Sequence, residues 1–145
     1  MYFIDRSKIE ETLTYMEGLL QELGKQSFET FRDKLSLERI TQMIIESVLD
    51  VGNMMIDGFI MRDPGSYEDI IDILVDERVL PSDESERYKS VIKLRTMLVK
   101  EYLTIDHEQI RTTMAENKAT LNLFSKRIRT YLDNELGVAN AFSGQ

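Results

Sequence analysis

The sequence predicts an all-α fold, an up-and-down antiparallel helical bundle of four long helices and one short one. Three observations carry this. Apolar residues recur at spacings of three and four, residues that favour helix (Leu, Ile, Met, Glu, Lys and Arg) are frequent throughout, and only Pro64 and Pro81 break the chain. The 145 residues are expected to form one domain, 1–145, able to bury roughly two thirds of its unfolded surface around a single core. No internal repeat or low-complexity tract divides it.

The first helix is predicted from about Asp5 to Leu23. Ile9, Leu13, Met16, Leu20 and Leu23 mark its apolar face, Asp5 or Ser7 serves as N-cap, and Gly24 closes it. After a polar connection near Gln26 to Asp33, a longer helix runs from roughly Leu35 to Met61. It carries two neighbouring apolar stripes, one through Leu37, Ile40, Ile44, Val48, Val51 and Met55 and one through Ile45, Leu49, Gly52, Ile56 and Phe59. Apolar around most of its girth, it is the expected centre of the bundle. Its polar residues Glu46, Asp50, Asn53 and Asp57 read either as a wet side or as groups that face inward or reach a dimer seam.

Pro64 and Gly65 predict a turn, and Ser66 followed three residues later by Asp69 resembles a capping box at the start of a short helix from Tyr67 to about Glu77. Pro81 restarts the chain, with Ser82 or Asp83 as N-cap of a fourth helix ending between Lys100 and Asp106. Asp106 then caps a last helix through Ile110, Met114, Leu121, Phe124, Ile128, Tyr131 and Leu132, terminated by Gly137, with a loose tail from about Val138.

Composition narrows the chemistry. With no cysteine, disulfides, thiolate metal sites and cysteine nucleophiles are excluded, and a single histidine, His107, excludes a site of several imidazoles. Glycine-rich phosphate loops, serine elbows and paired-histidine motifs are absent, so neither a metal nor a cofactor is expected. Charge arrives at Asp5 and Arg6, and nowhere do about 18 consecutive apolar residues occur, so the expectation is a soluble, cytoplasmic protein with no membrane anchor. A net charge of −8 opposes broad nucleic-acid binding, leaving room only for a local basic stripe.

Such a stripe exists on the fourth helix. If the helix is unbroken, Lys89, Lys93, Thr96 and Lys100 fall within about sixty degrees of one another. They form either a phosphate track or a solvated face whose lysines offset nearby carboxylates. On the opposite side Val91, Leu94, Leu98 and Tyr102 share an apolar stripe, with Arg95 on its border seven positions from Tyr102. An arginine there needs an internal carboxylate, a cleft or a second subunit, because burying an unpaired guanidinium costs several kcal/mol. In a cleft it can hold a phosphate by two parallel N–H bonds. His107 reads as a surface residue near the start of the last helix.

The run DVGNMMIDGF (Asp50 to Phe59), then RDPGSYEDIIDIL (Arg62 to Leu74) and LRTMLVKEYLTID (Leu94 to Asp106), resembles the HepT-like branch of the HEPN domains over about residues 38–106. The resemblance implies a small bacterial helical bundle, typically a homodimer, acting as a toxin-type, metal-independent endoribonuclease on tRNA or mRNA. The family's active motif is an arginine, four residues, a histidine, one residue and a tyrosine. Arg95 and Tyr102 match it, and Lys100 stands in the histidine position. The resemblance further implies a minimal nucleotidyltransferase antitoxin that silences the toxin by placing AMP on the motif tyrosine, here Tyr102.

The departure at Lys100 bears on mechanism. Attack by a ribose 2′-hydroxyl needs a group that accepts a proton near neutral pH, a role suited to imidazole; an ordinary lysine, with a pKa of about 10.4, clamps phosphate instead. The expectation is therefore an RNA-cleaving dimer using Arg95, Lys100 and Tyr102, with Lys89 and Lys93 extending the phosphate contact. Its alternative is a catalytically silent HEPN homodimer that binds nucleotide or protein.

Overall fold

The computed structural model describes residues 3–25 and 27–143, with the side chains of the last helix described as far as Gly137. Six helical segments follow one another: α1 (Arg6–Lys25), α2 (Phe31–Gly58), α3 (Tyr67–Asp76), α4 (Ser85–Ile92), α5 (Leu94–Val99) and α6 (His107–Ser143). Single 3-10 turns stand at Ser82–Glu84 and Tyr102–Thr104, and no strand occurs among the described residues. α4 and α5 are the predicted fourth helix interrupted at Lys93, which keeps helical angles of φ −60° and ψ −24°. The five-helix, all-α class is therefore as predicted.

Side-chain caps set most of the starts. The Asp5 carboxylate accepts the Lys8 N–H at 2.9 Å, and Asp106 accepts that of Gln109 at 3.1 Å, both as expected. α2 begins four residues before its predicted start because Thr30 and Asp33 form a reciprocal capping box. Gln26, in the predicted connection, lies outside the described residues. Ser66 caps α3 by accepting the Asp69 N–H, but the Asp69 carboxylate does not close the box. It accepts the Gly65 N–H at 2.8 Å and a two-pronged pair of bonds from Arg62. Gly137 does not terminate the last helix: α6 passes through it, and the expected loose tail continues as helix to Ser143.

Paired residues define the topology. The Phe3 N–H donates to the Gly58 carbonyl at 2.9 Å, setting the start of α1 beside the end of α2. Arg6 pairs with Asp133 and Arg129 with both Glu10 and Glu17, so α6 runs antiparallel to α1. Glu84 binds Arg127, and the Tyr88 hydroxyl donates to the Thr120 carbonyl, giving the same relation between α4 and α6. At the centre lies α2, which packs on α1, α3, α5 and α6.

Both apolar stripes of α2 are consumed inside the molecule: Leu37, Ile44, Ile45, Val48, Met55 and Ile56 are buried. At Gly52 the approach of α3 is so close that an added Cβ would stand 2.5 Å from Ile70 Cγ2. Asp50, Asn53 and Asp57 form the wet side, whereas Glu46 is half-buried and turns toward α5. Partial desolvation against the helix surface, with the Glu46 charge second, raises the Asp50 carboxyl above its ordinary range although the residue is largely exposed.

Candidate functional site

α5 positions the arginine. Leu94 and Leu98 are buried against the core and fix the helix, leaving Arg95 at the edge of the packed region. Its Nε donates to Glu46 Oε1 at 2.7 Å, and the guanidinium lies 4.5 Å from the centroid of the Tyr67 ring, over its face. The bond to Glu46 holds the guanidinium above its ordinary range, more firmly charged. The two Nη groups have no hydrogen-bond partner among the described residues, and 22 % of the side chain is exposed. Arg95 is thus anchored through one nitrogen and open through two.

Those open donors belong to a cleft of about 360 Å³ between the start of α3 and α5, lined by Ser66, Tyr67, Lys93, Arg95, Thr96 and Lys100 among others. The structure therefore brings Arg95, Lys93 and Lys100 together. Lys93 and Lys100 are exposed, and neither forms a salt bridge among the described residues. Three cations against one carboxylate, Glu68, leave this hollow with a net positive charge in an acidic protein, suited to an anion.

Two predicted members are placed elsewhere. Lys89 points at α3, its ammonium 2.6 Å from Asp72 and its side chain largely covered, so it does not extend the phosphate track. The hydrogen bond to Asp72 raises its pKa. Tyr102 does not share a helical stripe with Arg95. α5 stops at Val99, where the amides of Lys100 and Glu101 both close on the Thr96 carbonyl at 2.9 and 3.2 Å. Tyr102 then opens a 3-10 turn, 64 % exposed and outside the lining of the Arg95 cleft, beside Leu103 at 87 %.

His107 is held by Glu38, with Nε2 2.7 Å from the carboxylate. Glu38 and Glu46 are eight residues apart on α2, about 12 Å along its axis. The imidazole and the guanidinium are thus anchored to carboxylates about two turns apart on α2. Glu46 was legible as a polar residue of the central helix and as the kind of carboxylate Arg95 requires. Tyr67 was not, because PGSY reads as turn chemistry and gives no sign that the ring will lie under a guanidinium.

The family model described as Ribonuclease HepT-like matches residues 9–128. This chain belongs to the HepT-like ribonuclease family. A curated relative from Bacillus subtilis (strain 168), named "Putative RNase YutE", is 48% identical over 143 residues, covering 98% of this chain and 99% of the relative. A solved structure, described as that of a cytosolic protein of unknown function, YutE from Bacillus subtilis, superposes with a TM-score of 0.92. It is 48% identical and covers 94% of this chain and 96% of that one. This HepT-like chain has no helix, among the described residues, long and apolar enough to cross a membrane.

Proposed function

We propose that the chain is a cytoplasmic, metal-independent endoribonuclease of a toxin–antitoxin pair, cutting RNA at the Arg95 cleft. The observation that carries this is the pair of open Nη donors of Arg95 facing a hollow shared with Lys93 and Lys100. A scissile phosphate seated there meets two parallel donors from Arg95, and Lys100 offsets the charge that grows as the 2′-hydroxyl, losing its proton to water, attacks phosphorus. The P–O5′ bond breaks, the 5′-oxygen takes a proton from water, and a 2′,3′-cyclic phosphate remains. Lys100 acts as a clamp in this scheme. Membership of the HepT-like family supports the reaction class.

Tyr102 is the AMP acceptor in this reading. Its ring is displayed on a one-turn projection between α5 and α6, where a nucleotidyltransferase antitoxin reaches the hydroxyl without unfolding either helix. AMP there adds negative charge two residues from Lys100 and opposes the approach of RNA to the cleft. Leu103, more exposed still, is the apolar residue suited to a homodimer seam, with Tyr102 staying outside it. α2, with its apolar stripes used internally, does not supply that seam through its middle.

The Arg95–Glu46 ion pair favours a second reading, a silent homodimer that binds nucleotide or protein through the same cleft. Cleavage separates the two. Incubated with total tRNA in excess EDTA, the protein is expected to release fragments ending in 2′,3′-cyclic phosphate, and Arg95→Ala is expected to release none. Equal behaviour of both proteins would leave only the binding reading.

A further inference from the structure

A second and larger hollow, about 590 Å³, lies between α4–α5 and the first half of α6. Lys93 and Thr96 line both hollows, so the two meet across α5. An RNA strand with one phosphate on Arg95 and Lys100 that crosses this ridge places a flanking nucleotide over the second hollow, whose volume falls in the range of small-ligand sites.

The second hollow differs in chemistry. The first sets three cations against one carboxylate, Glu68; this one sets Arg87 and the shared Lys93 against Glu86, Glu101 and Glu116, with Gln109 and Asn117 beside them. Carboxylates disfavour a phosphate and accept from the N–H edge of a base, while amides and a guanidinium complete a mixed donor and acceptor wall. Two members are preset. Arg87 Nη1 donates to the Glu116 carbonyl at 3.1 Å, fixing its fork at the rim. Asn117 is only 5 % exposed, and its amide nitrogen donates to the Thr113 carbonyl at 2.8 Å; its Oδ1 accepts no hydrogen bond among the described residues.

We infer that this hollow is a base-recognition subsite for the nucleotide next to the scissile phosphate, selective for guanine. Guanine alone among the RNA bases offers adjacent N–H donors, N1 and N2, for the carboxylate and Asn117 oxygens, together with O6 and N7 acceptors for Arg87. The inference rests on the ribonuclease reading for its role and on the shared wall of the two hollows for its place.

The test is a fluorescence-anisotropy titration of the full chain with end-labelled single-stranded RNA pentamers that differ only in a central G, A, C or U, alongside cleavage of the same pentamers. The G pentamer is expected to bind about ten-fold tighter than the others, the discrimination of one good bidentate contact. Arg87→Gln and, separately, Glu101→Gln are expected to reduce that preference to below about two-fold, while Arg95→Ala weakens all four pentamers alike. Both subsite positions are exposed, and unchanged melting midpoints verify that these variants fold. Cleavage with four equal affinities overturns the subsite and leaves the ribonuclease reading standing. A G preference without cleavage overturns the ribonuclease reading and keeps the hollow as a guanine site, and no binding by any pentamer overturns both.

Discussion

At Arg95 one N–H is committed to Glu46 and the fork beyond it is open, an arrangement in which the carboxylate aims the guanidinium without neutralising its outer face. Glu46→Ala is expected to lower unfolding stability by about 1–2 kcal/mol, between the small worth of exposed pairs and the larger cost of orphaning a buried charge. Urea melts check it. The Asp69 carboxyl shows the same physics at a helix start: the Arg62 guanidinium foremost, then the Gly65 N–H, hold its pKa at about 2 against 3.8. The folded state therefore binds fewer protons than the unfolded one. This contribution is full above about pH 4 and is lost as pH falls toward 2. Urea midpoints measured between pH 2 and 5 are expected to fall less steeply with acid in Asp69→Asn than in the parent. That Arg95 would need an internal carboxylate, a cleft or a second subunit was legible in the sequence because a guanidinium on an apolar border cannot be buried unpaired, and the structure gives it both Glu46 and a hollow. Which carboxylate, and that Lys89 would turn to Asp72, depended on how α2 and α3 were placed.

Among the elements, three of the four starts with side-chain caps were readable, the Thr30–Asp33 box of α2 being the exception. Asp5, Ser66 and Asp106 marked true helix starts, since their oxygens accept amides that nothing else satisfies. The end of α5 had no such signal. Apolar spacing continued through LVKEYL, yet the backbone closed on Thr96, and that carried Tyr102 off the stripe on which its relation to Arg95 depended. Gly137 misled in the opposite sense, because a glycine costs a helix only about 1 kcal/mol and flanking turns can absorb it. Gly52 belongs to packing. Gly52→Ala pushes a methyl into Ile70, so α2 and α3 must separate, and a loss of roughly 1–3 kcal/mol is expected, read as a lower thermal midpoint. A midpoint equal to the parent's would mean that the α2–α3 contact yields without cost.

For the molecule as a whole, the sequence's net charge of −8 and a hollow that gathers Lys93, Arg95 and Lys100 are compatible because charge is unevenly distributed over the surface. The bundle itself was legible from periodicity, since 3.6-residue patterning fixes which faces must meet. The apolar girth of the central helix is filled by α1, α3, α5 and α6, and the exposed Leu103 is the expected homodimer seam. Sedimentation at micromolar concentration is expected to show a dimer that Leu103→Glu converts to monomer; a monomeric parent would remove the seam. The most direct test of the central claim is the single-turnover rate of RNA cleavage by Arg95→Ala against the parent, with melting midpoints taken on the same samples. A loss of about 100-fold or more with the fold intact is predicted for a donor that meets the transition state. Equal rates from two folded proteins would contradict it.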